Sequence, residues 1–158
     1  LALRGLELEL VRGQITVLLG ANGAGKSTTI SLLTGLLPPT SGECEVLDLS
    51  ATAEMAQIRQ LLGVCPQANV LWPELTVLEH LELYAAVKGV PAQLAVGAAA
   101  AMAKAVGLTH RQIFIYFSFF SLSGGMKRKL CVGIALLGDS PFVILDEPSS
   151  GMDPASRR

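Results

Sequence analysis

Eight residues near the start of the chain, Gly20-Ala-Asn-Gly-Ala-Gly-Lys-Ser27, meet the pattern G-x-x-x-x-G-K-[ST]. Glycines at Gly20, Gly23 and Gly25 let the backbone fold into a nest of N–H donors that fits phosphate oxygens, with Ala21, Asn22 and Ala24 between them. Lys26 has the reach and charge to neutralise β- and γ-phosphates, and the Ser27 hydroxyl can ligate Mg²⁺. Thr28 follows on the helix that brings its positive N-terminal end to the same place. A chance match on a glycine-rich turn would not need its neighbours, yet a continuous apolar run precedes this motif and helical spacing follows it. The chemistry is nucleotide binding.

A second constellation is Phe142-Val-Ile-Leu-Asp146-Glu147, an apolar strand that ends in two carboxylates. Asp146 suits a water-mediated hold on Mg²⁺. Glu147, one residue on, points elsewhere and suits a general base for an attacking water. Standing alone, the pair would read as well as an ordinary hydrogen-bonded turn; the phosphate loop tips the balance. A third is Leu122-Ser-Gly-Gly-Met126. Ser123 can cap a helix whose bare Gly124 and Gly125 amides, with the helix dipole, make another anion site. A generic phosphate-loop enzyme has no need of this second helix start.

The elements that must carry these residues follow from periodicity. Leu6 to Leu10 alternates as a half-exposed strand, and Gln14 to Leu19 reads as a strand buried on both faces. Ser27 to Leu37 has helical spacing and is stopped by Pro38-Pro39; Glu43 to Leu47 reads as a strand, and Ala51 to Leu62 as a helix. Thr76 to Lys88 and the alanine-rich Ala92 to Val106 are further helices, and Met126, Leu130, Ile134 and Leu137 mark one side of another. The order predicts an α/β fold with a mostly parallel sheet, interrupted by a helical insert.

Composition narrows the class. With 158 residues, 51% hydrophobic and 16% charged, the chain suits one compact domain and excludes disorder as a description of the whole. The uncharged stretch Gly89 to Ala103 falls short of the roughly 18 apolar residues that a spanning helix needs and is broken by Pro91. A net charge of -1 gives no support to a nucleic-acid partner. Three cysteines without C-x-x-C spacing suggest neither a disulfide framework nor a zinc site, and fit a reducing compartment. No signal-peptide pattern is present. The chain opens mid-pattern and stops without a closing element, so it is expected to be an excerpt of a longer protein.

Taken together, Gly20–Ser27, Gln67, Leu122–Met126, Asp146-Glu147 and Ser150-Gly-Met-Asp153 resemble the nucleotide-binding domain of ABC transporters, a P-loop NTPase with a helical insert that carries a signature motif. The wording is similar to the A subfamily in Val64-Cys-Pro-Gln-Ala-Asn-Val70, Leu75-Thr-Val-Leu-Glu-His80, Ser123-Gly-Gly-Met-Lys-Arg-Lys-Leu130 and Gly133-Ile-Ala-Leu-Leu-Gly-Asp-Ser140. The resemblance covers nearly the whole chain. It implies a core at about 1–66 and 138–158 with a helical subdomain at about 67–137. It makes Gln67 the Q-loop residue that contacts Mg²⁺ and senses nucleotide. Asp153 becomes the D-loop residue at the opposite subunit, and Ser123, Gly124 and Gly125 ligands of a γ-phosphate held by another copy.

Two departures follow from the same resemblance: the adenine-stacking aromatic of the family would lie upstream of Leu1, and its switch histidine beyond Asp153. A third is internal. Gln112 to Ser121 holds five of the eight aromatics where the family has a polar lead-in, and is expected to be an irregular or divergent segment rather than a lipid-facing or partner surface. Lys127-Arg-Lys129 reads mainly as a solvated basic face, His80 and His110 as structural, and Trp72 as a candidate packing anchor against a transmembrane coupling helix. The function implied is ATP hydrolysis at the cytoplasmic face of a membrane, with ATP and Mg²⁺ bound. A second nucleotide-binding domain would be arranged head to tail, with transmembrane domains as further partners. Lipid is the implied cargo. The alternatives are a soluble ATPase of the same family acting in translation or DNA repair, and a nucleotide-gated regulatory module with a degenerate site; intact Lys26, Asp146 and Glu147 weigh against the last.

Overall fold

The computed structural model describes residues 2–108 and 122–152, so His110, Asp153 and the aromatic run at 112–121 lie outside the described residues. The chain forms two compact units, Leu1–Arg59 and Gln60–Arg158.

In the first unit, helix α1 (Lys26–Leu33) starts where Gly25 turns the chain at φ 96°. It stops four residues before the predicted end. Gly35 takes φ 67°, its N–H bonds the Leu32 carbonyl, and the Leu36 N–H reaches back to the Ser31 carbonyl at 2.9 Å. That paired closure, rather than Pro38, ends the helix. The strand expected at 43–47 shrinks to β1 (Glu45–Val46), which pairs antiparallel with β2 (Leu49–Ser50). Leu47 and Asp48 both adopt positive φ, 54° and 64°, the backbone a tight two-residue hairpin requires. The Glu54 carboxylate then accepts from the Ser50 N–H at 2.9 Å, and the helix expected from Ala51 begins instead as α2 (Met55–Leu61). The runs 6–10 and 14–19 form no ladder: Ile15 is 96% and Leu19 85% exposed. Apolar patterning shows what a segment suits, but a strand is completed only by neighbours that take its N–H and C=O groups. Among the described residues none pairs with it.

The second unit contains β3 (Leu62–Cys65), α3 (Val77–Val87), α4 (Ala92–Ala105), α5 (Gly124–Leu136) and β4 (Phe142–Leu145). Strand β3 pairs with β4 in parallel, Leu62 opposite Phe142 and Cys65 opposite Leu145. The helix expected through Leu62 gives way here to β3, whose four residues, interrupted by Gly63, carry too little period to mark a strand. Gly63 is there for packing: a Cβ at this site would strike the Ala135 carbonyl of α5, so only glycine lets helix and strand approach so closely. Helix α3 opens on a reciprocal cap. The Glu79 N–H donates to the Thr76 hydroxyl at 3.2 Å while the Thr76 N–H donates to the Glu79 carboxylate at 2.7 Å. Val77, Leu81, Ala99, Ala103, Leu130 and Ile134 interlock α3, α4 and α5 into one buried cluster. Lys88, at the end of α3, donates to the Leu62 carbonyl and the Ser140 hydroxyl, both at 2.6 Å, and so ties the helical layer to the sheet. No helix among the described residues is long and apolar enough to cross a membrane.

Candidate functional site

In the first unit the loop from Gly20 to Gly25 is exposed except at Gly25, and Gly23 and Gly25 hold φ of 82° and 96°, closed in practice to residues with a Cβ. No side chain caps α1, so the amides of its first turn, at Lys26, Ser27 and Thr28, are not used by a capping group. Lys26 folds back over the loop, its ammonium donating to the carbonyls of Gly20 at 2.6 Å and Ala21 at 3.0 Å. Ser27 is exposed, and the half-buried Thr28 sits beside it. Uncapped amides, a curled glycine loop and a cation laid across it fit a polyphosphate.

In the second unit the parallel register decides the geometry. Because Cys65 lies opposite Leu145, the segments that leave the two strands, Pro66-Gln67 and Asp146-Glu147, emerge side by side; the Asp146 N–H continues the ladder to the Cys65 carbonyl at 2.9 Å. Carboxyl ends of adjacent parallel strands are where open α/β sheets bind ligands. Asp146 is half-buried, whereas Gln67 and Glu147 are exposed. Glu147 takes φ 48°, a left-handed backbone that glutamate seldom adopts. Gln67 and Asp146 here, and Ser27 in the first unit, each carry an oxygen of the hard donor type that suits Mg²⁺.

Ser123 caps α5 as expected, its hydroxyl accepting from the Met126 N–H at 3.3 Å, with Ser123 and Gly124 exposed. Bare Gly125 faces the segment before Asp153: a Cβ there would lie 3.7 Å from Met152 Cα. The second unit thus gathers Gln67 with Asp146 and Glu147, and Ser123–Gly125 with Gly151 and Met152.

The basic cluster departs from the solvated face expected of it. Arg128 is not solvated; it is 1% exposed. Nη1 donates to the carbonyls of Pro66 (2.5 Å) and Gln67 (3.1 Å), and Nη2 to those of Asp146 and Glu147, the latter at 2.9 Å. Spacing in the sequence marks the helical face but not the partners. Arg128, Cys131 and Ala135 fall on one helical face, and the last two are buried beside Cys65. Burial pushes the Cys131 thiol up to about 11 and raises that of Cys65, although Arg128 pulls both down; both thiols therefore stay protonated near neutrality. His80 is structural, as read. It is fully buried, its Nε2 accepts from the Trp72 N–H at 2.9 Å, and Nδ1 lies 2.7 Å from the Thr76 carbonyl, which fixes the proton on Nδ1. Desolvation holds its pKa below the usual histidine value.

The sequence profile described as "ABC transporter" matches residues 3–150. The chain belongs to the ABC transporter family. It is 52% identical to human phospholipid-transporting ATPase ABCA3, over 99% of this chain and 9% of ABCA3. It is 50% identical to ABC transporter A family member 5 of Dictyostelium discoideum, over 100% of this chain and 9% of that protein. The chain therefore spans about a tenth of these relatives. A bacterial ABC transporter cassette solved as a dimer superposes with a TM-score of 0.86 at 24% identity, covering 99% of this chain and 70% of the cassette, which supports the fold. The same cassette in a post-hydrolysis state, bound to ADP and Pi, matches at 25% identity and the same TM-score over 98% of this chain and 69% of the cassette. The fold of this ABC domain is accordingly the α/β P-loop fold with a parallel sheet.

Proposed function

We propose that this ABC domain is the ATP-hydrolysing motor cassette of an A-type transporter that moves lipid across a membrane. The observation that carries the reading is the parallel register of β3 and β4, which ends Gln67 and the Asp146-Glu147 pair side by side, in a chain that also bears an intact phosphate loop. In this reading the amides of Gly20 to Thr28 bind the phosphates of ATP, and Lys26 leaves the loop carbonyls to neutralise the β- and γ-groups. Ser27, Asp146 and Gln67 would hold Mg²⁺, which when bound neutralises phosphate charge. Glu147 accepts a proton from water as the water oxygen bonds to the γ-phosphorus; the bond to the bridging oxygen breaks and ADP leaves with phosphate.

The domain divides, on this reading, into a core at about 1–66 and 138–158 and a helical subdomain at about 67–137. Ser123, Gly124 and Gly125 would face the γ-phosphate of a second cassette in a head-to-tail pair, with Asp153 at that junction; the dimeric cassette relative supports the pairing. The transmembrane domains of the same transporter complete the assembly and hold the cassette at the cytoplasmic face of the membrane. Similarity to phospholipid-transporting ATPases supports lipid as the cargo.

The test is the complete transporter in phospholipid vesicles that carry a labelled phospholipid. ATP, but not a non-hydrolysable analogue, is expected to drive the label between leaflets, and Lys26→Ala to abolish it. ATP hydrolysis that proceeds without moving any phospholipid class would overturn the lipid assignment.

A further inference from the structure

Arg128 heads the fully buried side chains of the described residues by volume, and its guanidinium bridges two loops rather than filling space. One nitrogen holds the carbonyls of Pro66 and Gln67 and the other those of Asp146 and Glu147, while Nε is buried without a partner. All four acceptors are neutral carbonyls. A cation buried in this way carries a desolvation cost that a methionine of similar volume would avoid. What methionine cannot do is hold two loops in one fixed fork. The carbonyl of Glu147 is one of the four, and it also accepts from the Ser150 N–H at 3.0 Å. Its residue stands at φ 48°. Such a backbone persists only where its surroundings over-determine it.

We propose that Arg128 is a positioning residue for ATP hydrolysis: its fork holds the backbone of Glu147 in the left-handed conformation and ties it to Gln67, so that the two loops move as one. Arg128 touches no reacting atom and acts through Glu147. The proposal rests on the reading of Glu147 as the base.

The experiment compares Arg128→Met, Arg128→Lys, Glu147→Gln and the double variant Arg128→Met/Glu147→Gln in the complete transporter, by steady-state and single-turnover hydrolysis with ATP affinity measured in parallel. Arg128→Met is expected to lower kcat on the order of a hundredfold, the penalty of a misplaced catalytic group, with KM for ATP within about twofold of wild type. Arg128→Lys, whose ammonium reaches the carbonyls of one loop but not both, recovers part of the loss. The double variant is no slower in single turnover than Glu147→Gln, because the two residues act as one unit. Near-normal kcat in Arg128→Met, a raised KM with kcat intact, no recovery in Arg128→Lys or losses that multiply would each overturn the proposal. So would loss of thermal stability and ATP binding in both Arg128 variants, which would make the side chain structural alone. Normal hydrolysis by Glu147→Gln, by contrast, defeats the base assignment; the Arg128 variants with Glu147 intact test the fork itself.

Discussion

Glu147 stands at the end of an apolar strand, exposed, on a left-handed backbone held through its carbonyl by Arg128 and Ser150. Its carboxylate is free of the constraint its own backbone bears, which is what a base that must meet a water requires. Replacing it by the isosteric amide removes the proton acceptor and nothing else. Glu147→Gln in the complete transporter is therefore expected to keep ATP affinity within about twofold and to lose roughly 100-fold or more of turnover, the usual worth of a positioned base. Calorimetry of ATP binding beside phosphate release checks both halves; turnover near wild type would assign the base elsewhere.

At the scale of elements, α3 is held at its N-terminus by Thr76, Glu79 and His80. The Nε2 of buried His80 accepts from the Trp72 N–H, and Trp72 packs on its ring at a centroid distance of 6.2 Å and on Tyr84 at 5.8 Å. Burial depresses the His80 pKa, although the neighbouring Glu79 carboxylate and the Thr76 carbonyl favour the charged ring. The folded chain thus takes up this proton less readily than the unfolded one. Its contribution to stability is complete above the unfolded value near 6.5 and falls as pH drops through and below it. Acidification from pH 7.5 toward 5 is expected to lower Tm and to shift the emission of Trp72, the single tryptophan, as its amide loses an acceptor worth about 0.5–1.5 kcal/mol. His80→Gln should flatten the emission change; an unaltered profile would place its origin elsewhere. The contact between α5 and β3 gives a second prediction. Gly63→Ala drives a Cβ against the Ala135 carbonyl, backbone that cannot swing aside. Overpacking of this kind costs about 1–3 kcal/mol, measurable as a lowered midpoint in urea.

At the scale of the whole molecule, the exposed Ser123 and Gly124 at the start of α5 suit a phosphate that another cassette holds. Ser123→Arg would fill that opening and remove the cap, whose loss costs α5 about 1 kcal/mol. In the complete transporter the variant is expected to retain ATP binding at its own Lys26 and to lose nucleotide trapping, by about tenfold or more, at the facing cassette. Photolabelling each cassette separately reads the two sites. Loss confined to the cassette that carries Ser123→Arg would overturn the head-to-tail arrangement.

Local patterning alone determined the phosphate loop, α1, the capped α3, the alanine-rich α4, the signature helix and β4, because each is set by neighbours in sequence: glycines that permit positive φ, a cap three residues from its partner, an apolar run ending in carboxylates. Gln67 was legible only through resemblance, since one glutamine before a loop has no period or spacing of its own. Three features came from tertiary structure. Strand β3 became a strand because β4 lies beside it, as four residues around a glycine have no pattern to announce. The run at 14–19 has a strand's composition and, among the described residues, no partner to make it one. Arg128, flanked by two lysines, looks like solvated charge until Pro66, Gln67, Asp146 and Glu147 turn their carbonyls toward it from two loops some sixty and twenty residues away. Periodicity records what a residue prefers on its own helix; which distant carbonyls need a donor is decided only when the strands have paired.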